Sequence, residues 1–144
     1  MSRPSIDTET ENSMFDVIKS GWFSQGKKTQ EFENNLSEHF SSKVVVVNNG
    51  TSALTAALMA HGIKSGDKVV VPSFTFIATS SAAKILGAKI LVADVDPITL
   101  NITPESIEKI VKEHDDVKAV MVVDMAGQPV DFEQIGRASC RERV

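Results

Sequence analysis

The stretch Val44–Leu54, VVVVNNGTSAL, decides how the chain is read. Lys43 to Val47 is dominated by a continuous valine run, the pattern of a strand covered on both faces. Asn48, Asn49 and Gly50 break that run, and Thr51 to His61 then reads as a helix closed by Gly62. A helix that starts this abruptly leaves its first amides without intrahelical acceptors. The N–H groups of Gly50, Thr51 and Ser52 would point outward at the positive end of the helix dipole, a natural place for a phosphate. The hydroxyls of Thr51 and Ser52 add donors. An ordinary capped helix with no ligand fits the same local sequence.

Outward from this stretch the alternation continues. Lys68 to Val71 reads as a second strand ended by Pro72, Ser73 to Leu86 as a helix closed by Gly87, and Lys89 to Val95 as a third strand. Thr103, Pro104 and Glu105 supply a capping hydroxyl, a proline at the first helical position and an early acid. That helix runs to about His114, and Val117 to Val123 forms a fourth strand before a Gly-Gln-Pro loop. The order predicts an α/β fold with a mostly parallel sheet and right-handed helical crossovers. On the N-terminal side, a short helix around Met14 to Lys19 is interrupted by SGWFSQG. A second helix then places Phe32, Leu36 and Phe40 on one stripe.

The chain has 144 residues, 42% of them hydrophobic, with a formal net charge of −4. That is enough for one domain with a core, and the mild acidity gives no support to nucleic-acid or polyanion binding. No apolar run approaches the roughly 20 residues that cross a bilayer, so no membrane partner is expected. Met1 to Asn12 is polar and lacks the basic-then-apolar order of a secretory signal. With a single cysteine, Cys140, no internal disulfide can form, and a reducing, cytoplasmic setting is the expectation.

Residues 135–144, IGRASCRERV, differ from what precedes them. They carry three of the four arginines and the only cysteine. Their order matches the translation of a common short-read sequencing adapter. A boundary is therefore expected at Gln134, and Arg137, Cys140, Arg141 and Arg143 receive no functional role.

Neither GxxxxGK[ST] nor GxGxxG occurs, so a phosphate at Gly50–Ser52 would belong to a smaller cofactor than those motifs serve. Phe74 and Phe76 follow a strand and would share a side if the backbone stays extended. One ring could cover a planar ligand, although core packing is the commoner role. Asp94 and Asp96 are better read as turn residues beside Pro97 than as metal ligands, and no metal is expected. Asp124, Gly127 and Gln128 follow the fourth strand, where open parallel sheets build ligand sites. His39, His61 and His114 have no ligand spacing and read as surface residues. Trp22, between Gly21 and Gly26, shapes a loop or simply packs.

These residues carry a resemblance. NNGTSAL, HGIKSGDKVVVPSFTFIAT, GAKILVADVDPITLNITPESIE and AGQPVD follow one another as in the DegT/DnrJ/EryC1/StrS sugar aminotransferase family, across roughly Gly21 to Phe132. The resemblance implies a pyridoxal 5'-phosphate enzyme of the aspartate-aminotransferase fold (fold type I), usually a homodimer. Such enzymes move an amino group, typically from glutamate, to a keto group of a nucleotide-linked sugar. By the same resemblance, Gly50, Thr51 and Ser52 hold the cofactor phosphate, Phe76 stacks on the pyridine ring, and Gln128 lines the cofactor region. Trp22 to Gly26 resembles a loop near the substrate cleft. Asp124 stands where many relatives have histidine, which leaves the substrate subclass open. The implied domains are an N-terminal arm with the substrate-side loop (1–42), a partial cofactor-binding large domain (43–134) and the tail (135–144).

The resemblance also implies that the lysine carrying the cofactor and the aspartate pairing with its pyridine nitrogen fall beyond this sequence. No residue here is therefore assigned a catalytic role, and the 144-residue chain is expected to be inactive. Two further readings remain. A histidine in place of that lysine would make the complete protein a sugar dehydratase, and a degenerate homologue would be a non-catalytic ligand-binding or regulatory protein.

Overall fold

The computed structural model describes residues 3–114 and 116–140. These form two compact units divided between Val46 and Val47.

In the first unit, α1 (Thr8–Ser20) begins well before the expected start at Met14. The reason is Asp7, whose carboxylate accepts the Thr10 amide at 2.8 Å and caps the helix, while Glu9 and Glu11 face the dipole. That hydrogen bond holds the Asp7 pKa below the ordinary carboxylate value. Gly21, at φ 68°, ends the helix in the left-handed conformation. The second helix, α2 (Lys27–His39), carries the expected Phe32–Leu36–Phe40 stripe, yet Phe32 and Phe40 are exposed and neither helix buries a residue.

The valine run 44–47 is a correction to the sequence reading. It is extended but joins no sheet among the described residues. Its alternate amides are taken by α2 side chains: Val44 N–H donates to Ser37 Oγ and Val46 N–H to Glu33 Oε1, each at 3.0 Å. Val45 is 78% exposed. Valine favours extended backbone, but a strand needs a partner that its own sequence does not name.

The second unit holds a parallel three-stranded sheet in the order β2-β1-β3, from β1 (Lys68–Pro72), β2 (Lys89–Ala93) and β3 (Val117–Val120). The β1–β2 register runs from Lys68↔Lys89 to Pro72↔Ala93, and β1–β3 is irregular between Lys68 and Val69. Strands two and three end earlier than expected. Beyond β2 the chain turns, and Val95 bridges antiparallel to Ile102 instead. Beyond β3 only Met121 N–H continues the ladder, to Val70 C=O.

Helices cover both faces. Val69 and Val71 pack with Leu58 of α3 (Gly50–Ala60) and with Ala82 and Ala83 of α4 (Ala78–Ile85). Val70 points the other way, toward Ile107 of α5 (Pro104–Glu113) and Ile135 and Ala138 of α6 (Phe132–Cys140). The chain moves from β1 to β2 on one side and then crosses to β3 on the other. Right-handed crossovers in opposite directions put α4 and α5 on opposite faces.

Thr103 caps α5 as expected, accepting the Ser106 amide at 3.2 Å. Helix α4 starts five residues later than expected because 73–77 bend away from the strand. Helix α6 runs across Gln134. It starts at Asp131, whose carboxylate accepts the Gln134 backbone amide at 2.9 Å through one oxygen and the Gln134 side-chain amide at 2.7 Å through the other. Among the described residues no helix is long and apolar enough to cross a membrane.

Candidate functional site

Connections leave β1 and β3 for opposite faces, and sheets of this kind take ligands beyond the carboxyl ends of such strands. Three segments come to this edge. The segment 73–77 follows β1 and carries Phe74 and Phe76. The segment 121–131 follows β3 and carries Asp124 and Gln128. Helix α3 packs on the same cluster as β1 and reaches it through the short connection 61–67, so its N-terminus returns toward the strand's carboxyl end.

The start of α3 is built for an anion. Asn49 is the N-cap, and its side chain accepts the Ser52 amide at 2.9 Å. Of the three amides expected to be open, that of Ser52 is thus occupied. The amides of Gly50 and Thr51 have no acceptor among the described residues. A Cβ at Gly50 would meet nothing within 4 Å, so the approach is clear. No acid lies in the first turn of α3, as in α2 and α4, whereas α1 has two there and α5 and α6 one each. The positive end of this dipole therefore keeps its field, with the half-buried Thr51 and Ser52 hydroxyls beside it.

Phe76 is 76% exposed and Phe74 is 52% exposed. The core role weighed for them is excluded, and so is a shared side through extended backbone, because the chain bends from Ser73. Phe76 is fixed by its main chain: its carbonyl accepts the Thr79 amide at 3.0 Å at the start of α4. Thr75 Oγ1 meets the buried Thr79 Oγ1 at 2.9 Å and pins the segment a second time.

After β3, the 3-10 turn Met125–Gly127 presents Asp124 and Gln128, both exposed. Asp124 accepts the Val130 amide at 3.0 Å through one carboxylate oxygen, so it shapes its own loop. Ala126 and Gly127 both take left-handed backbone, at φ 52° and 82°.

Three other expectations resolve simply. Asp96 is a turn residue: its Oδ1 accepts the Ile98 and Thr99 amides, which lower its pKa. His39 and His61 are exposed, but His114 is half-buried, its Nδ1 lying 3.5 Å from Lys68 Nζ. This corrects its reading as a surface residue. Lys68 also pairs with Asp116 and holds that carboxyl below the ordinary range. Trp22, within the first unit, is 66% exposed beside a groove of about 870 Å³ that Phe23 and Lys27 also line.

The indole of Trp22 lies over Gly26, where an added Cβ would come 2.8 Å from the ring. Gly26→Ala is expected to displace the ring and alter the emission of this only tryptophan, with a change in thermal midpoint of no more than a few degrees. Unchanged emission would mean that the ring does not rest there.

Residue Asn101 was not singled out by sequence reasoning. It is 6% exposed and bonds two backbone groups of the turn after β3. Nothing in the string ITLNIT distinguishes it from any other loop asparagine.

A parallel, helix-covered sheet with an open helix N-terminus, an exposed aromatic and a polar turn at its carboxyl edge defines an α/β ligand-binding domain suited to a phosphorylated, planar molecule. The chain belongs to the DegT/DnrJ/EryC1/StrS aminotransferase family, whose sequence model it matches over residues 4–144. It is similar to 3-amino-5-hydroxybenzoic acid synthase, with 33% identity, a TM-score of 0.86, and coverage of 98% of this chain and 37% of that one. A DegT DnrJ EryC1 StrS aminotransferase from Brucella abortus shares 32% identity at a TM-score of 0.80, over 92% of this chain and 37% of that one. The GDP-4-keto-6-deoxy-D-mannose-3-dehydratase of E. coli, with bound hydrated PLP, shares 26% at 0.85, over 99% and 38%. The fold is thus part of the large domain of the PLP-dependent aminotransferase fold, and the chain spans little more than a third of these solved relatives.

Proposed function

We infer that this chain is part of a pyridoxal-phosphate enzyme that transfers an amino group, from glutamate, to a keto group of a nucleotide-linked sugar. The observation that carries the reading is the open amide pair of Gly50 and Thr51, on a helix start free of acids, in a chain of this family.

The residues present fit the cofactor. Gly50 and Thr51 would donate backbone N–H groups to its phosphate, and the hydroxyls of Thr51 and Ser52 would add donors. Phe76 would cover the ring, and Gln128 would contact it from the turn after β3. Asp124 would serve the substrate side. When bound, the cofactor supplies an electron sink for breaking and making bonds at the carbon that carries nitrogen. The protein contributes binding, orientation and exclusion of water. The complete enzyme is taken to be a cytoplasmic homodimer. The bound PLP of the E. coli dehydratase favours one second reading, a sugar dehydratase on the same cofactor frame.

Thr51→Leu in the complete enzyme is the test of the phosphate site. It removes a hydroxyl and places a bulky apolar group at the anion. A hydrogen bond to a charged group contributes about 1.5–3 kcal/mol, so pyridoxal-phosphate affinity should fall roughly ten- to a hundredfold. The thermal midpoint of the apoprotein should barely move. Unchanged affinity would remove Thr51 from the site.

The 144-residue polypeptide itself is expected to bind pyridoxal phosphate weakly and to transfer no amino group. Mixed with the cofactor, an amino donor and a keto sugar, it should give neither turnover nor a stoichiometric, substrate-responsive absorbance. Observing both, with the chain confirmed by intact mass, would contradict this.

A further inference from the structure

We propose that Asn101 is the positioning residue of the candidate site, setting the turn that presents Asp124 and Gln128; this rests on the functional reading above. Asn101 is almost fully buried and bridges two points of one turn. Its Nδ2 donates to the Gln128 carbonyl at 2.8 Å, and its Oδ1 accepts the Met125 amide at 3.0 Å. An amide in this orientation satisfies both partners at once, which an ionised carboxylate or an alkyl side chain cannot do.

The turn needs such a clamp. Ala126 sits in left-handed backbone, disfavoured for any residue with a Cβ, and Gly127 follows in the same region. The turn's own bonds, Gly127 N–H to Asp124 C=O at 3.1 Å and Gln128 N–H to Met125 C=O at 2.9 Å, are short-range and lie on an exposed segment. Asn101 adds the long-range anchor. It is itself held, because its carbonyl accepts the Asp96 amide at 2.9 Å. Asp96 Oδ1 in turn gathers the Ile98 and Thr99 amides and the Thr99 hydroxyl. Rigidity thus passes from the loop after β2 to the turn after β3. Asn101 touches neither cofactor nor substrate in this role.

The test compares Asn101→Ala and Asn101→Asp with wild type in the complete holoenzyme. Backbone amide protection by hydrogen exchange is read at Gly127, Gln128 and Val130, none of which bonds the Asn101 side chain through its own N–H. Asn101→Ala should lower their protection by about tenfold or more, independently of pH, and weaken pyridoxal-phosphate retention by about tenfold. Asn101→Asp keeps the acceptor for Met125 but, when ionised, turns a carboxylate toward the Gln128 carbonyl. Burial raises the pKa of such a carboxyl, and its protonated form donates as the amide did. Protection factors in Asn101→Asp should therefore be low near pH 8 and recover toward wild type as pH falls to about 5. The neighbouring acids Asp96, Asp124 and Asp131 are common to all three proteins, so their titration cancels in the comparison.

Unchanged protection at all three amides in Asn101→Ala would overturn the proposal, as would a pH-independent defect in Asn101→Asp. If protection falls and recovers as described while Asn101→Ala and Gln128→Ala both leave retention intact, the clamp stands. The placement of the turn beside the cofactor then fails.

Discussion

Replacing Ile107 with alanine should destabilise the sheet-bearing unit by about 3 kcal/mol, lowering its thermal midpoint by roughly 12–24 °C. Ile107 is 0% exposed and is the largest fully buried side chain. It lies on the inner face of α5, where it joins Val70 of the central strand, Ala93 at the end of β2, and Ile135 and Ala138 of α6. Several of these neighbours are small or β-branched, so they cannot swing into the space left by three lost carbons. The cost then includes a cavity as well as the lost transfer energy. Ile107→Val should cost about 1 kcal/mol. Ile98→Ala is the control, since Ile98 is 89% exposed and its truncation should fall within about 0.5 kcal/mol of neutral. The midpoints of thermal unfolding check all three. Equal losses at 98 and 107 would contradict the packing described.

Gly87→Ala has the second large effect, about 2–4 kcal/mol. Gly87 terminates α4 at φ 78°, with its amide on the Lys84 carbonyl and the Ala88 amide on the Ala83 carbonyl. A side chain in that conformation alone costs about 1–2 kcal/mol. The added Cβ would also sit 2.7 Å from Ser65 Oγ, 2.9 Å from its Cβ and 3.2 Å from its Cα. Rotating the serine hydroxyl relieves only the first contact. The backbone cannot retreat freely either, because Gly66 N–H bonds the Gly87 carbonyl at 3.0 Å. Gly62 isolates the two contributions: it has φ 77° but nothing within 4 Å of its Cβ position. Gly62→Ala should show the conformational cost alone. Chemical denaturation of the two variants measures the difference, and equal costs would contradict the close approach to Ser65.

These two sites also mark what was legible in the sequence. Gly87 closes a helical pattern and begins a strand, so its role as punctuation is written locally. The capped start of α5 at Thr103-Pro104-Glu105 is equally local. The parallel β-α-β alternation followed from valine-rich runs separated by such signals. What failed was information held by partners distant in sequence. The run 44–47 reads as a strand, but pairing depends on another segment, and here Ser37 and Glu33 take its amides. The ends of β2 and β3 were overextended because valines (Val95, and Val122 and Val123) recur after the ladder stops. At the site, the phosphate turn could be located because a broken strand followed by Gly-Thr-Ser carries its own physics. Asn101 could not, since its two partners lie 24 and 27 residues away and its loop has no special composition.

Amino transfer and dehydration are the two activities open to an enzyme built on this frame. The most direct measurement to separate them follows heavy nitrogen from labelled glutamate in the complete enzyme supplied with pyridoxal phosphate and a nucleotide-linked keto sugar. The account predicts that the label appears in the sugar, in an amount equal to the 2-oxoglutarate released, and that Thr51→Leu reduces both in parallel at limiting cofactor. A sugar product that has lost a hydroxyl and gained no nitrogen would contradict it and assign the frame to dehydration.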